Sequence, residues 1–324
     1  MTVSLADIQA AAARLQGQAV VTPLLESAAL SERLSGRIFV KPETLQLAGA
    51  FKFRGAYNRL SQLSDEEKGR GVVAFSSGNH AQGVALAARK LGLPALIVMP
   101  LDAPGVKVEA TRGFGAEIRF FDRFKEDREA IAAEIAAERG MIVVPSYDDP
   151  HIIAGQGTVG LEIIAQAEAA GATLDKVLCP VGGGGLIAGT STAVKALSPA
   201  TQVWGAEPAG FDETRRSLGS GHREVIDPDA RSFCDALLTP IPGALTWPIN
   251  SRTLTGIAAV TDDEVASAMR WAFMNLKLVV EPGGCVALAA ALSGKIDLSD
   301  QTAAIVLSGG NVDPAVFAGV LAGV

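Results

Sequence analysis

The sequence predicts an α/β fold in which twisted, mainly parallel sheets are flanked by helices. Short runs of β-branched residues alternate with longer alanine-rich segments of helical character, which is the pattern of successive βαβ units. The chain of 324 residues suggests about two domains, at roughly 150 residues each. Its hydrophobic content of 48% is enough to build a sizeable core, so a disordered protein is excluded.

The elements follow one another in regular alternation along the chain. The N-terminal segment before Ala19 has the pattern of an amphipathic helix and lacks the basic start of a signal peptide. Residues 211–252 have the weakest periodicity, and we expect a functional loop there. The predicted strands are 38–41, 72–75, 95–99, 117–121, 142–144, 177–181, 202–206 and 303–307. The predicted helices are 81–91, 123–139, 160–170, 186–197, 262–276 and 284–293.

The charge of the chain argues against two classes of partner. There are 28 basic and 35 acidic residues, which gives a net charge of −7, whereas a general nucleic-acid binder needs clustered Lys and Arg. No stretch reaches the roughly 18 uncharged apolar residues that cross a membrane. Cys179, Cys234 and Cys285 form neither a disulfide framework nor a metal motif. We therefore expect a cytoplasmic protein with no nucleic-acid or membrane partner.

Three predicted strands end in turns that are rich in glycine, serine or asparagine. These turns are 76–80 (SSGNH), 182–185 (GGGG) and 308–311 (SGGN). Ligands bind at the carboxyl ends of the strands in open parallel sheets. We therefore expect the three turns to line one pocket.

The tetraglycine lies between a strand and a helix, where free backbone N–H groups favour a phosphate. The Gly-Lys-Ser/Thr of a P-loop is missing. Gly183, Gly185 and Ala188 also fit the GxGxxA pattern of a dinucleotide site, with Glu207 as the acid that would bind a ribose. An NAD-dependent dehydrogenase therefore stays open as an alternative from this motif.

The residues around Lys52 and the turn 76–80 each allow a structural and a functional interpretation. Lys52, between two phenylalanines, is typical of a lysine that snorkels to the surface, or it is a desolvated amine suited to a Schiff base. The turn 76–80 either caps a helix or presents N–H groups and hydroxyls to a substrate carboxylate. The chain has three histidines but no GxSxG or HExxH motif, which argues against a serine hydrolase or a zinc enzyme.

Taken together, these segments resemble the serine/threonine dehydratase and serine racemase family of fold-type II pyridoxal phosphate enzymes. The matching segments occur in family order and span nearly the whole chain: 49–56 (GAFKFRGA), 76–83 (SSGNHAQG), 154–158 (AGQGT), 182–186 (GGGGL), 207–208 (EP), 281–282 (EP) and 308–311 (SGGN). The resemblance implies a two-domain fold like that of the tryptophan synthase β chain. Residues 1–69 and 148–324 would form the large cofactor-binding domain, and residues 70–147 a small inserted domain that closes over the substrate.

The resemblance also implies a set of cofactor contacts. Lys52 would form the Schiff base with pyridoxal 5′-phosphate and act as the catalytic base. Asn79 would bind the ring hydroxyl and Phe51 would pack against the ring. Ser308 would meet the pyridine nitrogen, which favours β-elimination over transamination. The phosphate would be held by Gly182, Gly183, Gly184, Gly185 and Leu186.

Substrate and metal contacts follow from the same resemblance. The substrate carboxylate would be held by Ser76, Ser77, Gly78, Asn79 and His80. Ser77 occupies the position that delivers a proton to the opposite face in racemases, and Arg128 aligns with their substrate-binding arginine, although a charged helix face is the alternative there. Mg²⁺, or Ca²⁺ or Mn²⁺, would be held by Glu207, the carbonyl of Phe211, and Glu213 or Asp212.

The implied activity is that of a catabolic ammonia-lyase. Such an enzyme converts serine, threonine or 3-hydroxyaspartate to a 2-oxo acid and ammonia by α,β-elimination. A serine or aspartate racemase of the same family is the alternative, and a homodimer or higher homo-oligomer is expected. The stretch 234–240 (CDALLTP) departs from the family pattern beside the side-chain pocket, so the resemblance does not choose among these substrates.

Overall fold

The computed structural model describes residues 3–76, 78–103, 105–122 and 125–323. Its strands are β1 (Leu25–Glu26), β2 (Arg37–Pro42), β3 (Val72–Phe75), β4 (Ala95–Pro100), β5 (Glu117–Phe121), β6 (Ile142–Val143), β7 (Lys176–Pro180), β8 (Gln202–Pro208), β9 (Gly256–Val260) and β10 (Thr302–Leu307).

The helices are distributed between the strands along the whole chain. They are α1 (Leu5–Leu15), α2 (Ala28–Leu34), α3 (Lys52–Leu60), α4 (Asp65–Arg70), α5 (Asn79–Leu91), α6 (Gly105–Gly113), α7 (Arg128–Arg139), α8 (Pro150–Ala169), α9 (Gly185–Leu197), α10 (Glu213–Ser220), α11 (Trp247–Thr253), α12 (Asp262–Trp271), α13 (Pro282–Leu292) and α14 (Pro314–Ala322).

The strands of the described residues form two sheets. The larger sheet has the order β1-β2-β10-β7-β8-β9 and is parallel except for the pairing of β1 with β2. The smaller sheet has the order β5-β4-β3-β6 and is parallel throughout. The predicted α/β class with mainly parallel sheets is therefore confirmed.

Both faces of the larger sheet are buried. On β10, Ala303, Ile305 and Leu307 pack toward α2, α12 and α13, whereas Ala304 and Val306 pack toward α8 and α9. Side chains alternate between the faces of a strand, so a strand covered on both sides is apolar at every position. This explains why the core strands were visible in the sequence as continuous apolar runs.

The smaller sheet is built from consecutive strands between residues 72 and 143. Val72 and Ala74 of β3 pack with α3 and α5, and Val73 packs with α7 on the opposite face. The larger sheet takes its strands from before and after this stretch. The division into a large domain and an inserted domain at residues 70–147 remains a prediction about boundaries.

Several predicted bounds need correction. Strands β1 and β9 and helices α2, α4 and α6 lie where no element was predicted. Helix α7 begins at Arg128, where the side chain of Asp127 accepts hydrogen bonds from the first backbone N–H groups and so caps the helix. The predicted start at residue 123 lies outside the described residues. The predicted helix 262–276 ends as an α-helix at Trp271 and continues as a π-helical turn to Leu276. Within residues 211–252, α10 and part of α11 interrupt the expected loop.

None of the described helices is both long enough and apolar enough to span a lipid bilayer.

Candidate active site

One cavity of about 680 Å³ receives the ends of strands from both sheets. The turns after β3, β7 and β10 all contribute to its wall, as the shared carboxyl edge of parallel strands requires. Its wall contains these residues with a predicted role: Phe51, Lys52, Ser76, Gly78, Asn79, His80, Arg128, Gly182, Gly183, Gly184, Gly185, Leu186 and Ser308.

Lys52 begins α3 and points its amine into this cavity. Its Nζ donates a hydrogen bond to the carbonyl of Ser146 at 2.7 Å and lies 5.2 Å from the centre of the Phe51 ring. Removal from water lowers the pKa of Lys52 to about 8, against the opposing effect of the Glu281 carboxylate. Lys52 is therefore not a snorkelling surface lysine, and its neutral form is reached at a lower pH than for an ordinary lysine, although the ammonium still predominates at pH 7.

A buried ion cluster fixes the helix that carries Lys52. Arg54, 1% exposed, pairs with Glu43 at 2.7 Å and with Glu162 of α8 at 2.6 Å. Lys41 also contacts Glu162 at 2.6 Å. Losing a partner would leave a buried charge uncompensated, so this cluster disfavours other arrangements of the surrounding backbone. Arg54 therefore positions the first turn of α3, and with it Lys52.

Asn79 is held by two partners on the other side of the cavity. Its amide nitrogen donates to Glu281, and its oxygen accepts from the amide of Asn311 at 2.8 Å. The nitrogen carries a second hydrogen, so Asn79 retains a donor for a ligand. Burial raises the pKa of Glu281 to about 7, with Lys107 acting in the opposite direction.

The turn 182–185 can accept a phosphate because it has no side chains. A Cβ on Gly183 would lie 2.4 Å from the ring of Tyr147, and one on Gly184 would lie 2.5 Å from the amide nitrogen of Asn250. Gly184 also has φ +88°, which other residues rarely adopt. The turn leads directly into α9, whose first N–H groups and dipole favour an anion. These features fit the phosphate of pyridoxal phosphate, and Lys52 provides the amine that its aldehyde requires.

The backbone of Ser308 connects the segment before α3 to the first turn of α13. Its carbonyl accepts from the N–H of Phe51 at 3.1 Å, and its own N–H donates to Gly284 at 3.2 Å. Its side chain lines the cavity. A hydroxyl at this position can exchange a hydrogen bond with a ring nitrogen but carries no fixed negative charge.

The turn 76–80 is described except for one residue. Ser76 and Gly78 line the cavity, while Ser77 lies outside the described residues. His80 is 2% exposed, its Nε2 lies 2.9 Å from the carbonyl of Val144, and burial lowers its pKa to about 3. The ring is therefore neutral and held by the backbone.

Two cations, Arg128 and Lys107, lie in the cavity wall. Arg128, the first residue of α7, places its guanidinium 5.5 Å from the centre of the Phe75 ring. Lys107 of α6 pairs with Asp235, which begins a short 3-10 helix, Asp235–Leu237. The Arg128 side chain is thus part of the cavity rather than of a purely solvent-facing helix surface.

The predicted metal residues lie together, away from the cavity wall. Glu207 is fully buried and accepts from the N–H groups of Thr214 and Arg215 at 3.1 and 2.9 Å. Both carboxylate oxygens of Glu213 are buried without a hydrogen-bond partner. Burial raises the pKa of both carboxyls, to about 8 and about 10.

The surroundings of Glu207 and Glu213 favour a metal site over a dinucleotide site. The orphaned oxygens of Glu213 beside a second carboxylate fit a hard cation such as Mg²⁺. Across the described residues, no three His, Cys, Asp or Glu side chains converge as metal ligands, so the third ligand would be a backbone oxygen such as that of Phe211. Because backbone donors engage Glu207, it is not placed to bind a ribose, and the dinucleotide interpretation loses its acid.

Sequence reasoning also gave no role to Lys107, Asp235, Glu281 and Tyr147, which are among the residues that line this cavity. Glu281 was visible only as part of a matching dipeptide, and Asp235 only as part of a segment that departs from the family pattern. Lys107 lies on a helix that the periodicity did not reveal. Its proximity to Asp235 depends on the tertiary fold, so nothing local in the sequence signals the pair.

The chain is similar over most of its length to several known proteins. The family described as "Pyridoxal-phosphate dependent enzyme" matches residues 15–309. An L-threo-3-hydroxyaspartate ammonia-lyase of Pseudomonas sp is 44% identical over 317 residues, covering 98% of each chain. The Saccharomyces cerevisiae enzyme of that name is 42% identical, covering 98% of this chain and 96% of its own. The solved structure of maize serine racemase superposes with a TM-score of 0.93 at 35% identity, covering 100% of this chain and 98% of its own.

Proposed function

The chain belongs to the pyridoxal-phosphate dependent enzyme family, and we propose that it is an ammonia-lyase for β-hydroxy amino acids, with 3-hydroxyaspartate as the preferred substrate over serine and threonine. The products are a 2-oxo acid and ammonia. The observation that carries the proposal is the amine of Lys52, which shares one cavity with the side-chain-free turn 182–185. The similarity to relatives named for hydroxyaspartate supports the choice of substrate.

When bound, pyridoxal phosphate supplies an aldehyde for an amine and a ring that withdraws electrons from the substrate Cα. Turn 182–185 and Leu186 would hold its phosphate, Asn79 its ring hydroxyl, Phe51 its face and Ser308 its ring nitrogen. These residues come from both sheets. The group would therefore be fixed between the two halves of the molecule.

Lys52 would move the proton in the elimination. Its neutral amine, favoured by the low pKa, would accept the Cα proton at Nζ. Turn 76–80 would orient the substrate through its carboxylate, using the N–H groups at the start of α5. Arg128, which also lines the cavity, would provide a further contact to the substrate. Closure of residues 70–147 would exclude water while the reaction proceeds.

The first test is the colour of the protein. Wild-type protein loaded with pyridoxal phosphate should be yellow, and Lys52→Ala should lose the visible band, since only an amine at this position forms the Schiff base. Reduction with borohydride followed by peptide mapping should place the cofactor on Lys52. A wild type that cannot be loaded, or a label on another lysine, would contradict the proposal.

The second test identifies the substrate. Both stereoisomers of serine, threonine and each 3-hydroxyaspartate diastereomer are assayed for 2-oxo acid, with and without Mg²⁺. We expect the highest kcat/KM for a 3-hydroxyaspartate isomer. If serine or threonine is the best substrate, the preference for 3-hydroxyaspartate is rejected but the ammonia-lyase activity stands. If none of these amino acids yields a 2-oxo acid, the ammonia-lyase activity is rejected.

A racemase activity is the second candidate, supported by the likeness to maize serine racemase. Ser77 would then deliver a proton to the face opposite Lys52. If Ser77→Ala abolishes the D-isomer but retains 2-oxo acid formation, both activities exist. If wild type forms no D-isomer, racemisation is rejected.

We also propose a bound divalent cation at Glu207, Glu213 and the Phe211 carbonyl, because both oxygens of the Glu213 carboxylate are buried without a hydrogen-bond partner beside the fully buried carboxylate of Glu207. A homo-oligomer is part of the same proposal, with exposed apolar side chains such as Val21 and Met274, at 68% and 61% exposure, as candidates for its interface. Three free, buried cysteines support a reducing, cytoplasmic location.

A further inference from the structure

Lys107 is a buried cation in the cavity that the proposed elimination does not use. It is 6% exposed and pairs with Asp235 across the cavity wall. It comes from α6 beside the smaller sheet, whereas Asp235 comes from the segment between α10 and α11. An ammonium removed from water needs a carboxylate partner, because an unpaired buried charge is costly.

Lys107 also lies close to the turn that would bind the substrate carboxylate. Its Nζ is 3.8 Å from the point that a Cβ on Gly78 would occupy. In 3-hydroxyaspartate, a single carbon–carbon bond separates the two carbons that carry carboxylates. A cation that binds the second carboxylate must therefore lie near the site for the first, and Lys107 does.

Asp235 is a partner that a substrate can replace. Its side chain is 47% exposed, against 8% for that of Lys107. After an exchange, water can solvate Asp235 while Lys107 remains paired with the substrate. Serine and threonine have no second carboxylate, so they leave the Lys107–Asp235 pair intact.

We infer that Lys107 is the specificity-determining residue that binds the second carboxylate of a dicarboxylic amino-acid substrate, in exchange for Asp235. This inference rests on the proposed function and narrows its substrate class. Arg128 is the competing cation, but it lies over the Phe75 ring. Lys107 is the better candidate for binding the second carboxylate, because its present partner, Asp235, is half exposed and can be exchanged for the substrate.

The first experiment measures binding without turnover. Succinate has the carboxylate spacing of the substrate but no amine, and propionate lacks the second carboxylate. By calorimetry on the cofactor-loaded protein, wild type should bind succinate at least about 10-fold more tightly than propionate, as expected for a charged hydrogen bond. Lys107→Gln and Lys107→Met should lose this preference. Asp235→Asn should bind succinate more tightly than wild type, because no exchange is needed.

A matched control is the surface pair of Lys68 and Asp65, whose charged atoms lie 3.6 Å apart. Lys68→Gln should keep the wild-type preference for succinate. The inference is overturned if Lys107→Gln keeps it too, or if Arg128→Gln alone abolishes it. Circular dichroism verifies folding of each variant. If Lys107→Gln does not fold, the outcome for Asp235→Asn decides, since weaker or unchanged succinate binding there contradicts the exchange.

The second experiment separates this inference from the proposed function. In Lys107→Gln, the ratio of kcat/KM for 3-hydroxyaspartate to that for serine should fall about 10- to 100-fold, mainly through KM. If wild type turns over 3-hydroxyaspartate and Lys107→Gln leaves the ratio unchanged, the inference fails and the function stands. If Lys107 governs succinate binding but no β-hydroxy amino acid is turned over, the function fails and the assignment of Lys107 stands.

Discussion

At the scale of single residues, Lys52 links function to a cost in stability. Folding lowers the pKa of Lys52 from 10.5 to about 8. The folded state therefore disfavours the charged ammonium that the unfolded chain retains. Below pH 8 both states are protonated and the folded state bears the full cost. Between pH 8 and 10.5 the unfolded state binds more protons, so the free energy of unfolding rises with pH.

This predicts a pH-dependent difference between wild type and Lys52→Met without cofactor. At pH 7 the variant should be more stable by about 2 kcal/mol, a value reduced to allow for partial exposure. The difference should shrink as pH rises from 8 to 10.5. Urea unfolding across this range measures it, and Lys68→Met on the surface serves as control. A difference that does not change with pH would mean that the lysine keeps an ordinary pKa.

At the scale of elements, the turn 182–185 depends on backbone that only glycine supplies. Gly184 has φ +88°, and a Cβ there would lie 2.5 Å from Asn250 and 3.0 Å from Thr246. Alanine would strain the backbone by about 1–2 kcal/mol and displace these neighbours. We expect Gly184→Ala to weaken pyridoxal phosphate binding at least about 10-fold and to affect phosphate-free pyridoxal much less.

Absorbance titration of the two cofactor forms checks this expectation. Gly171→Ala is the control, because Gly171 has φ +65° with nothing within 4 Å of its Cβ position. It shares the backbone strain but not the contacts of the turn. Equal losses in both variants would attribute the effect to general destabilisation rather than to the phosphate site.

The elements also show what the sequence could and could not predict. Strands such as β10 are buried on both faces, so their apolar runs were visible locally. Strand β1 has only two residues, both exposed, so no burial pattern marks it. Helix α6 buries few residues, Lys107 among them, and its amphipathic pattern is correspondingly weak. The turns of the candidate site were predictable because each follows a strand and has an unusual composition.

Contacts that depend on the tertiary fold were beyond sequence reasoning. The Asn79 amide meets Glu281 across 202 positions, and Lys107 meets Asp235 across 128. Neither pair has a local spacing that would reveal it. The glycine turn indicated a phosphate site by its own composition, and the family resemblance decided between the two interpretations of Lys52. Neither gave a role to the Lys107–Asp235 pair.

At the scale of the whole molecule, the cavity joins two sheets that have separate hydrophobic cores. A group held by Asn79 at the start of α5 and by the turn before α9 would contact both. A ligand that binds only the folded state stabilises it by mass action, by about 2.7 kcal/mol at 100 times its Kd. Because the ligand would bridge the sheets, this stabilisation should extend to both of them.

Hydrogen exchange with and without pyridoxal phosphate measures this coupling. Backbone amides at the start of α5 and of α9 should both gain protection, and thermal unfolding should shift upward as a single transition. Inorganic phosphate is the matched control, since it should protect the start of α9 without protecting α5. Protection by pyridoxal phosphate that is confined to the larger sheet would show that Asn79 does not hold the ring. The site would then be a phosphate cradle attached to one half of the molecule, and closure of the smaller sheet would require the substrate itself.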